Sequence, residues 1–514
     1  MNLPEKTTVN LVPDTVNPTP DYYCTWQTQL YATNDGKPAG QRRIIGEKAL
    51  FSPEKPYGWA YFYEKARGDL FFIMDDSWDV PPDNDERYFG SLILNGEKYP
   101  EAVGKAQSNA DAIKRLSERM KSIGWKGLGG WVCAQEAAIF GDSDRETYWT
   151  ERLKDADAAG FSYWKVDWGS WGSDAEERRR LTLLGRKYAP KLIIEHAITP
   201  EIIPFGDVFR TYDVPAIMSI PMTMNKIAAF TDTPAPQSGN TALINCEDEA
   251  YLSAACGFAM GIMRHPYSGT FMNGKADMSF PAVHRNLKTK MYEVLRAARW
   301  HRIAPAFSFD GGGLSVSKDL LTDTWCLEKP YEEIEQWWFD NTLIAPAAEN
   351  GVLKISAPAA VARNTALPEI KEDENGKVPF AAAAQNTNGA FSVVTLGRTE
   401  ERRYFIPKCD VTVKSGGAAL IGVFGEYKNL IVETELAGIK RILIQDLADD
   451  TAYDITEHVI IKDGEVVIPG ELIKKIGTLS QPKNDTSEPG AVVFLDTGLP
   501  TLRIWDHIIS PIKK

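Results

Sequence analysis

Two patterns divide the 514-residue sequence and predict an α/β fold class. The first is a (β/α)8 barrel of the TIM type, and the second a C-terminal antiparallel β-sandwich. Through the first 300 residues short apolar runs alternate with amphipathic segments, and eight such runs fall within about 280 residues, the strand count of a barrel. Beyond residue 310 the pattern becomes short β-branched runs separated by Gly, Asp and Lys turns. No glycine-rich phosphate loop follows the first run, as a doubly wound nucleotide fold would require. The expected domains are residues 1–310, a barrel with a short N-terminal extension, and residues 311–514, β-rich.

In order, the first strand is expected at 22–31 (YYCTWQTQLY) and the second at 70–76, an apolar run ending in two acids. Segment 109–125 places Ile113, Leu116, Met120 and Ile123 at helical spacing. A strand at 127–133 follows, then a helix over 147–160 that Gly160 can close. Strand 161–169, helix 173–188 and strands 191–196, 207–213 and 242–248 continue the alternation. A helix over 249–262, a strand at 263–267 and a closing helix at 286–300 complete the barrel. The later runs AFSVVTLG, RRYFI, VTVKS, AALIGVFG, LIVETE, RILIQDL, EVVIPG and AVVFLDTG read as strands of the second domain.

Composition narrows the function classes. Apolar residues make up 43% of the chain and charged residues 25%, enough for a sizeable core. The net charge of −13 repels phosphate backbones, so no nucleic-acid partner is expected. The basic run Arg178 to Arg180 lies among acids and reads as a solvated helix face. The longest apolar stretch is about ten residues, against ~20 for a membrane span, so no membrane partner is expected. The N-terminus, MNLPEKTTVNLVPD, has no basic region followed by an apolar run. The expected location is cytoplasmic if the chain is complete, and periplasmic or secreted if a signal peptide was trimmed. Six scattered cysteines and six scattered histidines hold no zinc spacing, so neither a metal nor a cofactor is expected. Thirteen of the 14 tryptophans lie at or before position 338, where flat apolar faces serve a barrel shell or a sugar pocket.

A barrel of this kind carries its active site at the C-terminal ends of its strands. In order, those ends offer Trp26; Asp75, Asp76 and Trp78; Trp131 and Cys133; Lys165 and Asp167; Glu195 and His196; Arg210 and Asp213; and Glu247, Asp248 and Glu249. Carboxylates beside tryptophans suit a carbohydrate, an oligosaccharide or glycoside, whose hydroxyls need acceptors and whose C–H face needs a ring. Asp167 and Asp213 end strands four and six and can face each other over the barrel mouth, the minimum apparatus of glycoside hydrolysis. Each residue also has a structural reading, because an Asp at a strand end commonly caps a helix or forms a turn.

The order IMDDSWDVP, FGSLILNGEKYP, GWKGLGGWV, YWKVDWG, IIEH and FRTYDV resembles the α-galactosidases of glycoside hydrolase family 27 and the wider clan D that includes family 36. The resemblance spans residues 22 to 300. It implies that Asp167 is the nucleophile and Asp213 the general acid/base. It implies that Asp75 and Asp76 hold the sugar's O4 and O6, that Lys165 binds O3 and O4, and that Glu195 and Arg210 bind O2. Trp26 would form a pocket wall, and Trp78, Trp131 and Asp248 are also expected in the pocket. The long Glu195 carboxylate implies preference for a 2-hydroxy sugar over a 2-acetamido one.

There are three departures. The nucleophile is followed by Trp168 and Gly169 rather than by a small residue and a cysteine, Arg210 stands three rather than four residues before Asp213, and strand five reads Glu-His rather than Glu-Trp. The expected function is that of a retaining exo-glycoside hydrolase cleaving terminal α-galactosides through a covalent intermediate. A β-L-arabinopyranosidase or other clan D specificity, a transglycosidase, and a catalytically inactive sugar-binding barrel stay open. An oligomer is compatible with all of them.

Overall fold

The structure, a computed structural model, describes residues 3–33, 43–53, 58–141, 143–212, 218–237, 239–266, 285–326, 348–349, 352–401, 403–462 and 464–498. Eight parallel strands pair in chain order: Tyr22–Cys24, Phe71–Met74, Gly127–Val132, Tyr163–Val166, Ile193–His196, Val208–Arg210, Leu243–Asn245 and Gly261–Ile262. The eighth pairs with the first, Tyr22 opposite Gly261. The seventh meets the approach to the eighth through Ala259 N–H to the Ile244 carbonyl (2.8 Å) and Asp248 N–H to the Gly261 carbonyl (2.8 Å). The sheet therefore closes, and the expected barrel is present.

The outer helices begin and end where their caps dictate. Ser108 accepts the Asp111 N–H at 3.1 Å to open Asn109–Ile123, which buries Ile113, Leu116 and Met120, and Gly124 ends it at φ 110°. Asp144 opens Arg145–Ala159 by accepting the Thr147 N–H at 3.0 Å. Asp174 accepts two N–H groups to open Ala175–Tyr188.

Two expected boundaries are corrected. The segment 22–31 is a strand only over Tyr22–Cys24 and then a helix, Trp26–Thr33, begun by the Gln29 N–H bonding the Thr25 carbonyl. Trp26 and Leu30 stand at helical i,i+4 spacing. The helix expected over 249–262 is Ala250–Cys256, because Gly257 turns the chain at φ 61° with the Phe307 ring packed where a Cβ would stand. The eighth strand therefore falls at Gly261–Ile262 rather than 263–267, and Tyr267 lies outside the described residues.

The second domain is built on two packed sheets, with a smaller three-stranded and a two-stranded sheet in addition. Nine strands run in the order Glu5–Lys6, Tyr453–Asp454, Arg441–Asp446, Gly490–Asp496, Leu420–Phe424, Phe391–Leu396, Phe380–Gln385, Ala360–Arg363 and Leu314–Val316. Five more, Glu369–Lys371, Asp410–Gly416, Asn429–Thr434, Glu465–Pro469 and Ile460–Lys462, form the facing sheet. Most pairs are antiparallel, and three are parallel. The N-terminal Glu5–Lys6, expected with the barrel, pairs with Tyr453–Asp454 of the second domain.

The central strands of the nine-stranded sheet, Phe380–Gln385, Phe391–Leu396, Leu420–Phe424 and Gly490–Asp496, are buried on both faces, which is why they are almost continuously apolar. Val393, Val423, Ile444 and Val493 point to the facing sheet. Val394, Phe424, Leu443 and Val492 point to the barrel side. There Phe424 packs on Tyr251 (4.9 Å between ring centres) and Trp300 (6.1 Å), carried by helices Ala250–Cys256 and Met291–Ile303. Arg296 clamps the contact with two bonds to Asp446, at 2.8 and 3.2 Å. Among the described residues no helix is long and apolar enough to cross a membrane.

Candidate active site

Alternate residues of the barrel strands build its inner wall, because side chains on a strand point to opposite faces. Gly129 stands where a Cβ would fall within 2.6 Å of Ile73 and Tyr163, so only glycine lets those side chains cross the interior. One layer is organised by Glu195. Its carboxylate accepts from Tyr22 Oη (3.0 Å), Tyr163 Oη (2.8 Å) and Asn245 Nδ2 (2.6 Å) and is fully buried.

The charged layer at the strand ends gathers buried titratable side chains. Lys165 Nζ donates to Asp75 Oδ2 at 2.7 Å, and the Cys24 thiol donates to the same oxygen at 2.7 Å. Asp167 follows the fourth strand and is 7% exposed. Its Oδ2 accepts the Trp131 indole N–H at 2.9 Å. Its Oδ1 lies 3.1 Å from Arg210 Nη2, yet takes part in no hydrogen bond. Burial pushes the Asp167 carboxyl up, but Arg210, Lys165 and the Trp131 N–H outweigh it and hold the group below the ordinary carboxylate range.

Arg210 is the hub. It is 1% exposed, and besides Asp167 its Nε lies 3.4 Å from Glu247 Oε1 and 3.8 Å from Glu195 Oε1. None of its three nitrogens is satisfied by a well-formed hydrogen bond. A buried guanidinium without such bonds thus stands beside a carboxylate oxygen in the same condition.

The expected residues separate into those that meet and those that do not. Asp75, Trp131, Lys165, Asp167 and Arg210 come together at the strand ends. Trp26 stands one residue past Thr25, half-buried against the inner-wall cluster of Tyr22, Cys24, Ile73 and Tyr163. Asp76 accepts the Ser77 hydroxyl at 2.5 Å, and its backbone carbonyl accepts Gln29 Nε2 at 3.1 Å. Asp213 lies outside the described residues. Glu195 sits deeper than expected, with both oxygens already engaged.

Two residues leave the pocket. Trp78 is fully buried, gives its indole N–H to the Trp131 carbonyl (2.8 Å) and packs on Phe161. It lines a gap with Ile113, Ala156 and Trp164, on the helix side of the barrel wall. Asp248 is held by Arg264, whose Nε bonds Oδ1 at 2.6 Å and which also pairs with Glu293 at 2.7 Å. That network lies apart from the Asp167 cluster because Asp248 is out of phase with the inward-facing Asn245.

Two residues named in the sequence were not assigned to the site. Glu247, two positions beyond Asn245, is the acid of its strand end that faces Arg210. Burial pushes its carboxyl up to about 7 despite Arg210 and Lys165. Strand periodicity alone would have selected it over Asp248. Arg178, expected on a solvated face, is instead fully buried and donates to the backbone carbonyls of Asp167 and Gly172, both at 2.7 Å. It anchors the loop that carries Asp167. His196 turns away from the site toward Thr182 (2.8 Å), and burial together with Arg178 holds its pKa well below the ordinary value.

Backbone strain marks the same rim. Ser77, Ile198, Tyr212 and Asp248, each just past a barrel strand, hold φ of 68°, 72°, 66° and 53°. Among the described residues no group of three or more His, Cys, Asp or Glu is arranged to hold a metal ion.

No protein-family model and no curated protein matches the chain. Solved structures similar to it include the α-galactosidase of Saccharomyces cerevisiae, at 10% identity over 95% of this chain and 100% of that one, TM-score 0.39. α-Galactosidase I of Mortierella vinacea is similar at 11% identity over 68% and 94%, TM-score 0.35. A β-L-arabinopyranosidase variant from Geobacillus stearothermophilus, in complex with arabinose, is similar at 10% identity over 66% and 94%, TM-score 0.30.

Proposed function

We propose that the protein is a retaining exo-glycoside hydrolase that cleaves terminal α-galactosides, with Asp167 as nucleophile and Asp213 as general acid/base. The observation that carries this reading is the state of Asp167. It is a buried carboxylate at a barrel strand end, kept ionised by Arg210 and Lys165, with one oxygen oriented by Trp131 and the other outside any hydrogen bond. A nucleophile needs that combination of charge, fixed orientation and a free lone pair.

In the first step Asp167 attacks the anomeric carbon while the acid gives its proton to the glycosidic oxygen, which leaves as an alcohol. In the second step water attacks the same carbon, the acid's conjugate base takes the water proton, and Asp167 is released. Asp75, Asp76 and Lys165 hold hydroxyls of the cleaved sugar, Arg210 its O2, and Trp26 and Trp131 its apolar face. The assignment of Asp213 rests on the sequence resemblance alone. No cofactor takes part.

The test is a panel of nitrophenyl glycosides: α-galactoside, β-L-arabinopyranoside, α-N-acetylgalactosaminide and α-glucoside. The wild type should turn over the α-galactoside fastest. Asp167→Ala should lose several orders of magnitude in kcat, with azide restoring turnover as a glycosyl azide of inverted anomeric configuration. A wild type inert on all four sugars would leave the inactive sugar-binding barrel. Near-normal turnover by Asp167→Ala would remove Asp167 from the chemistry.

A further inference from the structure

We propose that Trp168 and Tyr212 form a leaving-group subsite that accepts a pyranose ring, so that the natural substrates are oligosaccharides. This rests on the glycosidase reading and adds to it the chemical class of the aglycone.

The groups assigned to the cleaved sugar are deeply buried, with Asp75, Lys165 and Arg210 each at most 3% exposed. A sugar reaching them descends into the barrel and leaves its glycosidic oxygen near Asp167. Whatever is attached beyond that oxygen lies at the rim, and two aromatic side chains stand exposed there. Trp168, the residue after Asp167, is 36% exposed, more than any other tryptophan among the described residues. Tyr212 is 42% exposed, on the loop after the sixth strand. Its ring lies 4.9 Å from the guanidinium of Arg210, which itself meets Asp167 at 3.1 Å, and the Asp167 charge followed by burial raises its hydroxyl pKa, so Tyr212 keeps its proton.

Trp168 is held rigidly despite its exposure. Its carbonyl accepts the Ala134 N–H at 2.7 Å, and Gly169 presses so close to the Ala134 backbone that a Cβ would fall at 2.4 Å. Phe89 and Trp131 brace the indole, at 5.3 and 5.5 Å between ring centres. A braced indole that stays 36% exposed is a preorganised platform, binding with little loss of side-chain entropy. A flat apolar face linked to Asp167 through Trp131, together with a phenol linked to Asp167 through Arg210, matches the C–H face and hydroxyls of a sugar ring. An alkyl chain would leave that hydroxyl without a partner.

The experiment compares two substrates with one glycone: melibiose, whose leaving group is a pyranose, and α-galactosyl fluoride, whose leaving group has no ring. The readout is the ratio of their kcat/KM values in wild type, Trp168→Ala and Trp168→Phe. Trp168→Ala should lower the melibiose-to-fluoride ratio about five- to tenfold, and Trp168→Phe should recover most of it. A ratio unchanged within twofold overturns the subsite, including the case where both substrates fall together because Asp167 has moved. A wild type that cleaves neither substrate overturns the glycosidase reading itself, a different result from a wild type that cleaves both while Trp168→Ala leaves the ratio alone. The fluoride arm also reports the folded fraction of each variant.

Discussion

Replacing Arg210 with methionine, of similar length and no charge, should unbalance the charged layer in a pH-dependent way. Arg210 faces Asp167 at 3.1 Å, Glu247 at 3.4 Å and Glu195 at 3.8 Å, almost entirely out of water. Removing one partner of a buried ion pair costs about 3–5 kcal/mol, because the remaining charge has neither water nor counter-ion. Three features place the expected loss near the lower end. Lys165 still supports Asp167, Glu195 keeps its three donors, and Glu247, raised to about 7 even with Arg210 beside it, rises further without it and takes up a proton. The expected loss is therefore ~3 kcal/mol at pH 8. Its sign with pH follows from linkage. The folded pKa of Asp167 is held below the unfolded value, so its contribution is present above the unfolded pKa and lost as pH falls through the folded one. Without Arg210 the folded pKa rises and that contribution shrinks. The gap between wild type and Arg210→Met should be widest at pH 8 and should narrow toward pH 4. Urea unfolding followed by tryptophan fluorescence at both pH values measures it. A gap under about 1 kcal/mol at pH 8, or one that widens on acidification, would refute the role given to Arg210.

Glu247→Gln should abolish or displace the alkaline limb of the pH–rate profile near pH 7, since Glu247 is the described acid at the rim pushed up to about 7. A raised carboxyl pKa stabilises the fold below its unfolded pKa and loses that effect as pH rises through 7, so the variant should also be less sensitive to pH between 5 and 8. An unchanged limb would show that Glu247 does not set it. Trp300→Ala, at the contact between Met291–Ile303 and the nine-stranded sheet, should cost about 3–5 kcal/mol by leaving a cavity against Phe424 and Gly422. Equal melting temperatures for variant and wild type would show that the second domain does not support the barrel through this ring.

The fold was legible because its two layers use different periods. Helix Asn109–Ile123 announces itself through apolar spacing, Ser108 and Gly124, and the strands of the nine-stranded sheet through apolar runs too short for a helix. The parallel pairs within that sheet were not legible. They arise from crossovers that bring Ala360–Arg363 beside Phe380–Gln385 and Phe391–Leu396 beside Leu420–Phe424, and local patterning carries no record of them. The pairing of Glu5–Lys6 with Tyr453–Asp454 is a contact across almost the whole chain and equally silent locally. The first strand was overextended because residues 22–31 alternate well enough for a strand, while Trp26 and Leu30 also fit a helix face.

Which rim residues face the site follows from strand phase. Counting in twos from inward-facing positions gives Trp26 from Cys24, Asp75 from Ile73, Trp131 from Gly129, Asp167 from Lys165 and Glu247 from Asn245. Asp76, Trp78 and Asp248 fall out of phase, and two of those three are withdrawn from the pocket by the contacts they make. Residue type at a strand end, used without phase, favoured Asp248 and passed over Glu247. Phase does not report depth, however. Glu195 is in phase and still sits below the charged layer, because two tyrosine hydroxyls and Asn245 hold it there. At the sixth strand the residue in phase with Arg210 is Tyr212, and Asp213 is one position beyond. An acid out of phase reaches the pocket only if the chain turns between the two. Tyr212 itself departs from strand geometry, with a φ of 66°, a strained conformation for a tyrosine.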